Sequence, residues 1–214
     1  MVQFALWDIL GFLVGAMRWT VLLSLIAFAG GGLMGLALLM LRFAKLPGVG
    51  TAVAWYVQLF QGTPLLMQLF LVYFGLALLG WDTSPMVAAS LCLTLYASAY
   101  LTEIWRGCVM SIPQGQWEAS SGLALTYAQQ MRHVILPQAA RVAIAPTVGF
   151  LVQVIKGTAL ASVIGFVELT KAGQMISNAT YQPFMAYTLV GLMYFVLCYP
   201  LSWWSQRLEN RRLA

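Results

Sequence analysis

Charge is what this chain has least of. Only 8% of its residues are Asp, Glu, Lys or Arg, against roughly 25% in a soluble globular domain. A water-facing surface cannot be built from so few charges, so the sequence describes an integral membrane protein. Histidine is nearly absent too. His133 is the only one, and it has no carboxylate or cysteine beside it, which leaves no ligand set for a metal and no catalytic pair. Cys92, Cys108 and Cys198 show no C-x-x-C spacing and lie in or beside apolar runs, as small buried hydrophobes do. No H-E-x-x-H or G-x-S-x-G occurs, which argues against a membrane enzyme. None of Lys45, Lys156 and Lys171 precedes Ser or Thr, so the chain has no P-loop and cannot bind ATP that way. The eleven Lys and Arg form no basic stripe, which excludes a nucleic-acid partner. The N-terminus lacks a basic n-region, and its first apolar run is too long for a signal peptide; it reads as a retained first span.

Apolar residues are abundant: 61% of the chain, with a mean hydropathy of +0.83. A helix needs about 20 such residues to cross a bilayer. Arg18 and Arg42 bracket an uncharged run over 19–41, which predicts span one. Glycine and proline punctuate the next uncharged stretch, predicting an interfacial helix at 50–60 and span two at 63–80. Span three is expected at 85–107, span four from Arg141 to the mid-160s, and span five at 184–206. Five spans place the two ends on opposite sides. With the N-terminus outside, Arg42, Lys45, Arg106, Arg132, Arg141, Arg207, Arg211 and Arg212 face the cytoplasm, and only Arg18 and Lys171 face out. The positive-inside rule selects that orientation. The fold class is therefore all-α: residues 1–214 form one transmembrane domain with a polar cytoplasmic hairpin at about 109–140.

That hairpin reads as two short helices. Ser111-Ile112-Pro113-Gln114 and Thr126-Tyr127-Ala128-Gln129 both have the S/T-x-x-Q pattern of a capping box. Gly122 is a stop signal between them, and Pro137 bends the second helix. A linker rarely carries two capped helices; a protruding, partly apolar knob suits a groove on a soluble partner.

Glu118-Ala119 followed by Leu136-Pro137 has the spacing of the "EAA…G…I-LP" loop, and the chain resembles permease subunits of binding-protein-dependent ABC importers. "FQGTPLLMQLFLVYFGL", "SAYLTEIWRGCVMSIPQGQWEA" and "IKGTALASVIGFVEL" resemble three spans of the branch that takes up polar amino acids. The likeness covers nearly the whole chain. The chain departs from the pattern at Ser120, where the family has alanine, and at Ala124, where it has glycine; Gly122 is then the candidate for a positive-φ turn. Gln61 stands where a basic residue is usual, and Gly157 and Ala159 where a polar pair is usual.

The resemblance implies a type I ABC importer permease fold in the bacterial inner membrane. It implies a second permease, copy or homologue, and ABC ATPase subunits that bind the ATP and Mg. This chain itself would hold no cofactor and catalyse nothing. A substrate-binding protein would deliver a polar amino acid from outside, and ATP would drive alternating access. The ATPase-coupling residues would be Trp117, Glu118, Ala119, Ser120, Gly122, Ala124, Leu136 and Pro137. Trp117 and Met131 either fill the ATPase cleft or pack on the hairpin's own partner helix.

Polar groups at membrane depth are functional candidates. Glu103 and Arg106 are three residues apart, as a structural pair under the hairpin would be. Gln68 either faces the pathway or bonds across helices. Lys156 lies fifteen residues past Arg141, about 22 Å into a core about 30 Å thick. It either snorkels outward or faces a wet cavity, where Thr158 would cap a new half-helix and the ammonium would hold a substrate carboxylate. Gly31-x-x-x-Gly35 is expected to pack within the subunit. A secondary transporter is the competing class. It needs paired midplane carboxylates, and no acid lies between Glu103 and Glu168 in span depth.

Overall fold

The computed structural model describes residues 5–44 and 46–213, with side chains as far as Asn210. Lys45, and the side chains of Arg211 and Arg212 that the sequence assigns to the cytoplasmic face, lie outside the described residues. Every regular element among the described residues is helical. Helix α1 spans Leu6–Phe43, α2 Val49–Gly62, α3 Leu65–Leu78, α4 Pro85–Met110 and α5 Gln114–Gly122. A second long rod comes next: α6, Tyr127–Gln129, passes through a π turn at Gln130–Ile135 into α7, Leu136–Gly157, and a 3₁₀ segment at Thr158–Ile164. Helices α8, Leu169–Thr180, and α9, Pro183–Leu213, complete the chain.

Four of these helices are long and apolar enough to cross a membrane; α2 and α3 meet that test only together, across a 104° bend. The count reaches five when the bent pair is one span. Helix α1 starts twelve residues before Arg18, not after it. A charge marks where a helix leaves apolar surroundings, not where its hydrogen bonds stop, and nothing in 6–17 breaks a helix. Arg18 is simply exposed on its side. The break between α2 and α3 has a covalent cause. Pro64 donates no N–H and holds Thr63 extended. The carbonyls this frees are taken up by side chains: Thr63 Oγ1 donates to Leu59 O at 2.7 Å, and Gln68 Nε2 donates to Phe60 O at 2.9 Å. In lipid such groups have no water to turn to.

Helix α4 is the pillar. Pro85 opens it and the Ser84 hydroxyl caps it. Its small residues admit α1 to backbone distance. A Cβ on Gly31 would stand 2.5 Å from Ala97 Cβ, and one on Gly35 would stand 3.0 Å from the Ser98 carbonyl oxygen. The G-x-x-x-G pair thus packs within the subunit, and Thr102 Oγ1 bridges the seam, donating to Gly35 O and Ser98 O. Leu23, Ala27, Leu69, Leu93, Leu101 and Phe150 bury together around this pillar.

The rod from Tyr127 corrects two expectations. The hairpin's second arm is not a separate short helix, and span four does not begin at Arg141; both belong to one run, Tyr127–Ile164. The π turn falls just before Pro137, whose ring would clash with the carbonyl four residues back in a regular α-helix. Widening the turn removes the clash without breaking the rod.

Candidate functional site

The hairpin begins where α4 ends. Ser111 does not cap α5, as its spacing predicts. Its hydroxyl donates to Cys108 O and finishes α4 instead, and Pro113 starts α5 with no side-chain cap. The second capping box does form: Gln129 Oε1 accepts from the N–H and the hydroxyl of Thr126. Proline explains the difference. It fixes the extended entry at 113 and moves the first helical residue past the reach of Ser111.

Helix α5 has an inner and an outer face. Trp117 is half-buried against Val109, Ile112, Met131, Ile135 and Ala139, and Ser120 is 2% exposed. Ser120 Oγ donates to Trp117 O, so a hydroxyl where the family has alanine leaves no polar atom unpaired. Glu118, Ala119 and Gly122 face outward. Met131 is buried in the hairpin's own core and is not available to fill a partner's cleft. Two amides clamp the arms. Gln130 Nε2 donates to Ser121 Oγ and Leu125 O, and Gln138 Nε2 to Gln116 Oε1 and Val134 O. Leu136 packs on the same core, while Pro137 is exposed.

The turn between the arms corrects the reading of Gly122. The left-handed residue is Ala124, at φ 55°, the position where the family has glycine, and Gly122 is ordinary helix. Leu123, beside it, is 75% exposed at the tip of the knob. The sequence reading missed Leu123, which hydropathy alone does not distinguish from a buried leucine.

Beneath the hairpin, Glu103 binds two arginines. Oε2 accepts from Arg42 Nη1 at 2.9 Å and Oε1 accepts from Arg106 Nε at 2.9 Å and from its Nη2. The predicted Glu103–Arg106 pair is present, and Arg42 joins it from α1.

The intramembrane candidates separate. Gln68 staples the α2–α3 bend through Nε2, and its Oε1 is buried without a hydrogen-bond partner among the described residues. Thr158 is fully buried and its hydroxyl donates to Ile155 O. It caps no half-helix. The backbone passes through it into the 3₁₀ segment and turns only at Gly165, φ +91°. The 3₁₀ segment lies against α3, where Gly157 faces Leu65. Lys156 is exposed, within electrostatic reach of Cys198 on α9.

The half-helix with a polar N-terminus is α8, and its residue is Glu168. Fully buried, Glu168 accepts from Thr170 N–H, Lys171 N–H and Tyr194 OH, each at 2.8 Å. Leu169 N–H donates to Thr20 Oγ1. Helices α1, α8 and α9 thus meet at this carboxylate. Glu168 precedes the run L-T-K by one residue, a helix-start position that the sequence reading left unused.

Three comparisons bear on this geometry. The family described as "Binding-protein-dependent transport system inner membrane component" matches residues 47–213. A probable glutamine ABC transporter permease of Bacillus subtilis, GlnM, is 35% identical over 90% of this chain and 89% of its own. The L-cystine transport system permease TcyB of the same organism is 32% identical over 99% of this chain and 89% of its own. Among solved structures, the crystal structure of an amino acid ABC transporter with histidines superposes with a TM-score of 0.92, at 31% identity and 99% coverage of both chains.

Proposed function

The chain belongs to the family of inner membrane components of binding-protein-dependent transport systems, and from that premise we propose that it forms the membrane path by which a polar amino acid enters the cytoplasm. Its relatives are transport components rather than enzymes, and it is a multi-pass inner-membrane permease. A substrate-binding protein delivers the amino acid from outside. A second permease, copy or homologue, completes the path between the subunits. ATP and Mg²⁺ are bound by partner ATPase subunits, and closure of those subunits switches the path between inward- and outward-facing states. The N-terminus lies outside and the C-terminus in the cytoplasm. Arg42 and Arg106 gather at the hairpin end of the bundle, while Arg18 lies near Val167 at the opposite end, a split that supports this orientation.

The observation that carries the proposal is the two-faced α5. Its inner face is locked on the hairpin core, and Glu118 and Ala119 are held outward with Leu123 at the tip. A rigid knob transmits displacement; a flexible linker would absorb it. Glu118 meets Arg or Lys of the ATPase in a charge-assisted hydrogen bond, a class worth about 1.5–3 kcal/mol, and Leu123 enters an apolar part of the cleft. Lys156, Gln68 and Thr158 remain the proposed contributors to the pathway, with Lys156 meeting the substrate carboxylate. The relatives' names include glutamine and cystine, cargoes that share the α-amino acid head and differ in side chain.

Co-purification of the chain with its ATPase subunits, followed by hydrolysis assays in vesicles, tests the proposal. Hydrolysis is expected to rise on adding binding protein loaded with a polar amino acid. Hydrolysis indifferent to the loaded binding protein would overturn it.

A further inference from the structure

The cavity between α1, α4, α7 and α9 shares Val109, Leu136 and Ala139 with the hairpin core and includes none of the proposed pathway residues. It encloses about 640 Å³ and is walled by Leu36, Trp105, Ala140, Ala143, Val148 and Trp204 among others. Its polar side chains are few: Trp105 Nε1 donates to Thr147 Oγ1 at 2.9 Å, and the indole of Trp204 is the other. The wall carries no charged group to hold the ammonium and carboxylate of an amino acid. The lining runs along α7 from Leu136 to Leu151, about 22 Å at 1.5 Å per residue. That length exceeds one leaflet of a hydrocarbon core about 30 Å thick.

The hairpin end of the groove is basic. Ser205 Oγ donates to Ala145 O, which sets α9 against α7 at that level. Because the two helices run in opposite directions, Arg141 and Arg207 both lie about one turn or less below it, toward the hairpin. Both are exposed, and Arg207 sits 3.9 Å from the centre of the Trp203 ring. The one acid on α4, Glu103, is already shared by Arg42 and Arg106. Helix α7 carries no acid, Asp8 of α1 is at the far end, and α9 carries only the exposed Glu209. From the level of Arg141 to Leu151 the slot runs about 15 Å, the depth of one leaflet, and with Arg141 and Arg207 exposed beside it it has the chemistry of a lipid tail under an anionic head.

We propose that this groove holds one acyl chain of an anionic glycerophospholipid, its phosphate set between Arg141 and Arg207. The lipid fills the space between α1 and α9 and ties the two ends of the chain's fold together at the hairpin end.

The test uses the assembled transporter in phosphatidylcholine vesicles, titrated with bromine-labelled phosphatidylglycerol or bromine-labelled phosphatidylcholine. The reporter is the tryptophan fluorescence lost when Trp105 and Trp204 are replaced by Phe. Phosphatidylglycerol is expected to half-quench that signal at about twenty-five-fold lower mole fraction, since each of the two basic groups near a membrane surface contributes roughly a factor of five. The preference should vanish in Arg141→Gln/Arg207→Gln. In Ala143→Phe, which fills the slot, quenching by both lipids should fall, while ATP hydrolysis shows that the complex is intact. Equal quenching by the two lipids in the wild-type complex would overturn the proposal. So would spontaneous disulfide formation between two Ala143→Cys copies, which would put a second copy of the chain in the groove.

Discussion

Arg42 and Glu103 stand 61 positions apart in the chain and meet at 2.9 Å, at the point where α1 ends and the hairpin is about to begin. The same carboxylate holds Arg106 one turn before the end of α4. The hairpin is therefore rooted in two helices rather than one.

Removing that carboxylate's charge leaves two guanidinium groups facing each other. Glu103→Gln should lower the stability of the detergent-solubilised subunit by about 2 kcal/mol, read as a lower thermal unfolding midpoint. Arg42→Gln should cost less, because Arg106 still neutralises Glu103. The reverse ranking would mean that α1 is not anchored here.

At the tip of the hairpin, Ala124 adopts φ 55°, a conformation that costs a residue with a Cβ about 1 kcal/mol more than glycine. Ala124→Gly should stabilise the hairpin by about that amount and leave transport at or above the native rate. Ala124→Val should do the opposite. Hydrogen exchange of residues 123–126 measures the difference. Gly122→Ala, within regular helix and with open space around the new Cβ, should be neutral or mildly stabilising.

Glu118→Lys reverses the charge on the exposed face of α5 and touches none of its packing. The variant should insert and fold normally, fail to hold the ATPase subunits through purification, and transport nothing. Native transport by Glu118→Lys would remove this residue from the coupling contact.

Glu168→Ala deprives two backbone N–H groups and a tyrosine of their acceptor inside the fold. The expected loss is about 3 kcal/mol, from a lost cap plus unpaired buried donors. Tyr194→Phe, which removes one donor and leaves the cap, should cost about 1 kcal/mol. Thermal unfolding of the two variants side by side checks the order.

Lys156→Met should retain assembly and basal ATP hydrolysis and lose transport of radiolabelled amino acid in vesicles. If it transports normally and Lys156→Glu only reduces insertion, Lys156 is a membrane anchor and the carboxylate is held elsewhere.

Much of this molecule is legible in its residue order because bilayer physics is coarse. Apolar runs of fixed length, interrupted by charge or by Gly and Pro, give α2, α3 and α4 nearly at their observed bounds and α9 at its start, though α9 runs seven residues past the expected end at 206. Where prolines act on the backbone, legibility is uneven. Pro64 reads as a break and is one. Pro113 and Pro137 mislead, since a proline's effect depends on whether the preceding carbonyls find other donors. The start of α1 is hidden because Arg18 looks like a boundary. Side-chain partners are the least legible. In one dimension Gln68 reads either as pathway polarity or as a bond across helices, and Glu168 carries no assigned role. In three, Nε2 of Gln68 repairs a bend and Glu168 closes the start of α8, and neither role leaves a periodic trace in sequence.

The main core has a consequence for the order of synthesis. Its buried members run from Leu23 to Phe166, so a ribosome that has reached Phe166 has already made every one of them. Helix α1 must wait in the bilayer until α4 emerges, because the surface that fits Gly31 and Gly35 lies on α4. Helix α9 arrives last, meets α7 and α8 from outside, and leaves most of its apolar surface uncovered. A nascent chain can therefore assemble its interior first. The wall that α9 adds keeps an apolar outer side that no other part of the described chain covers.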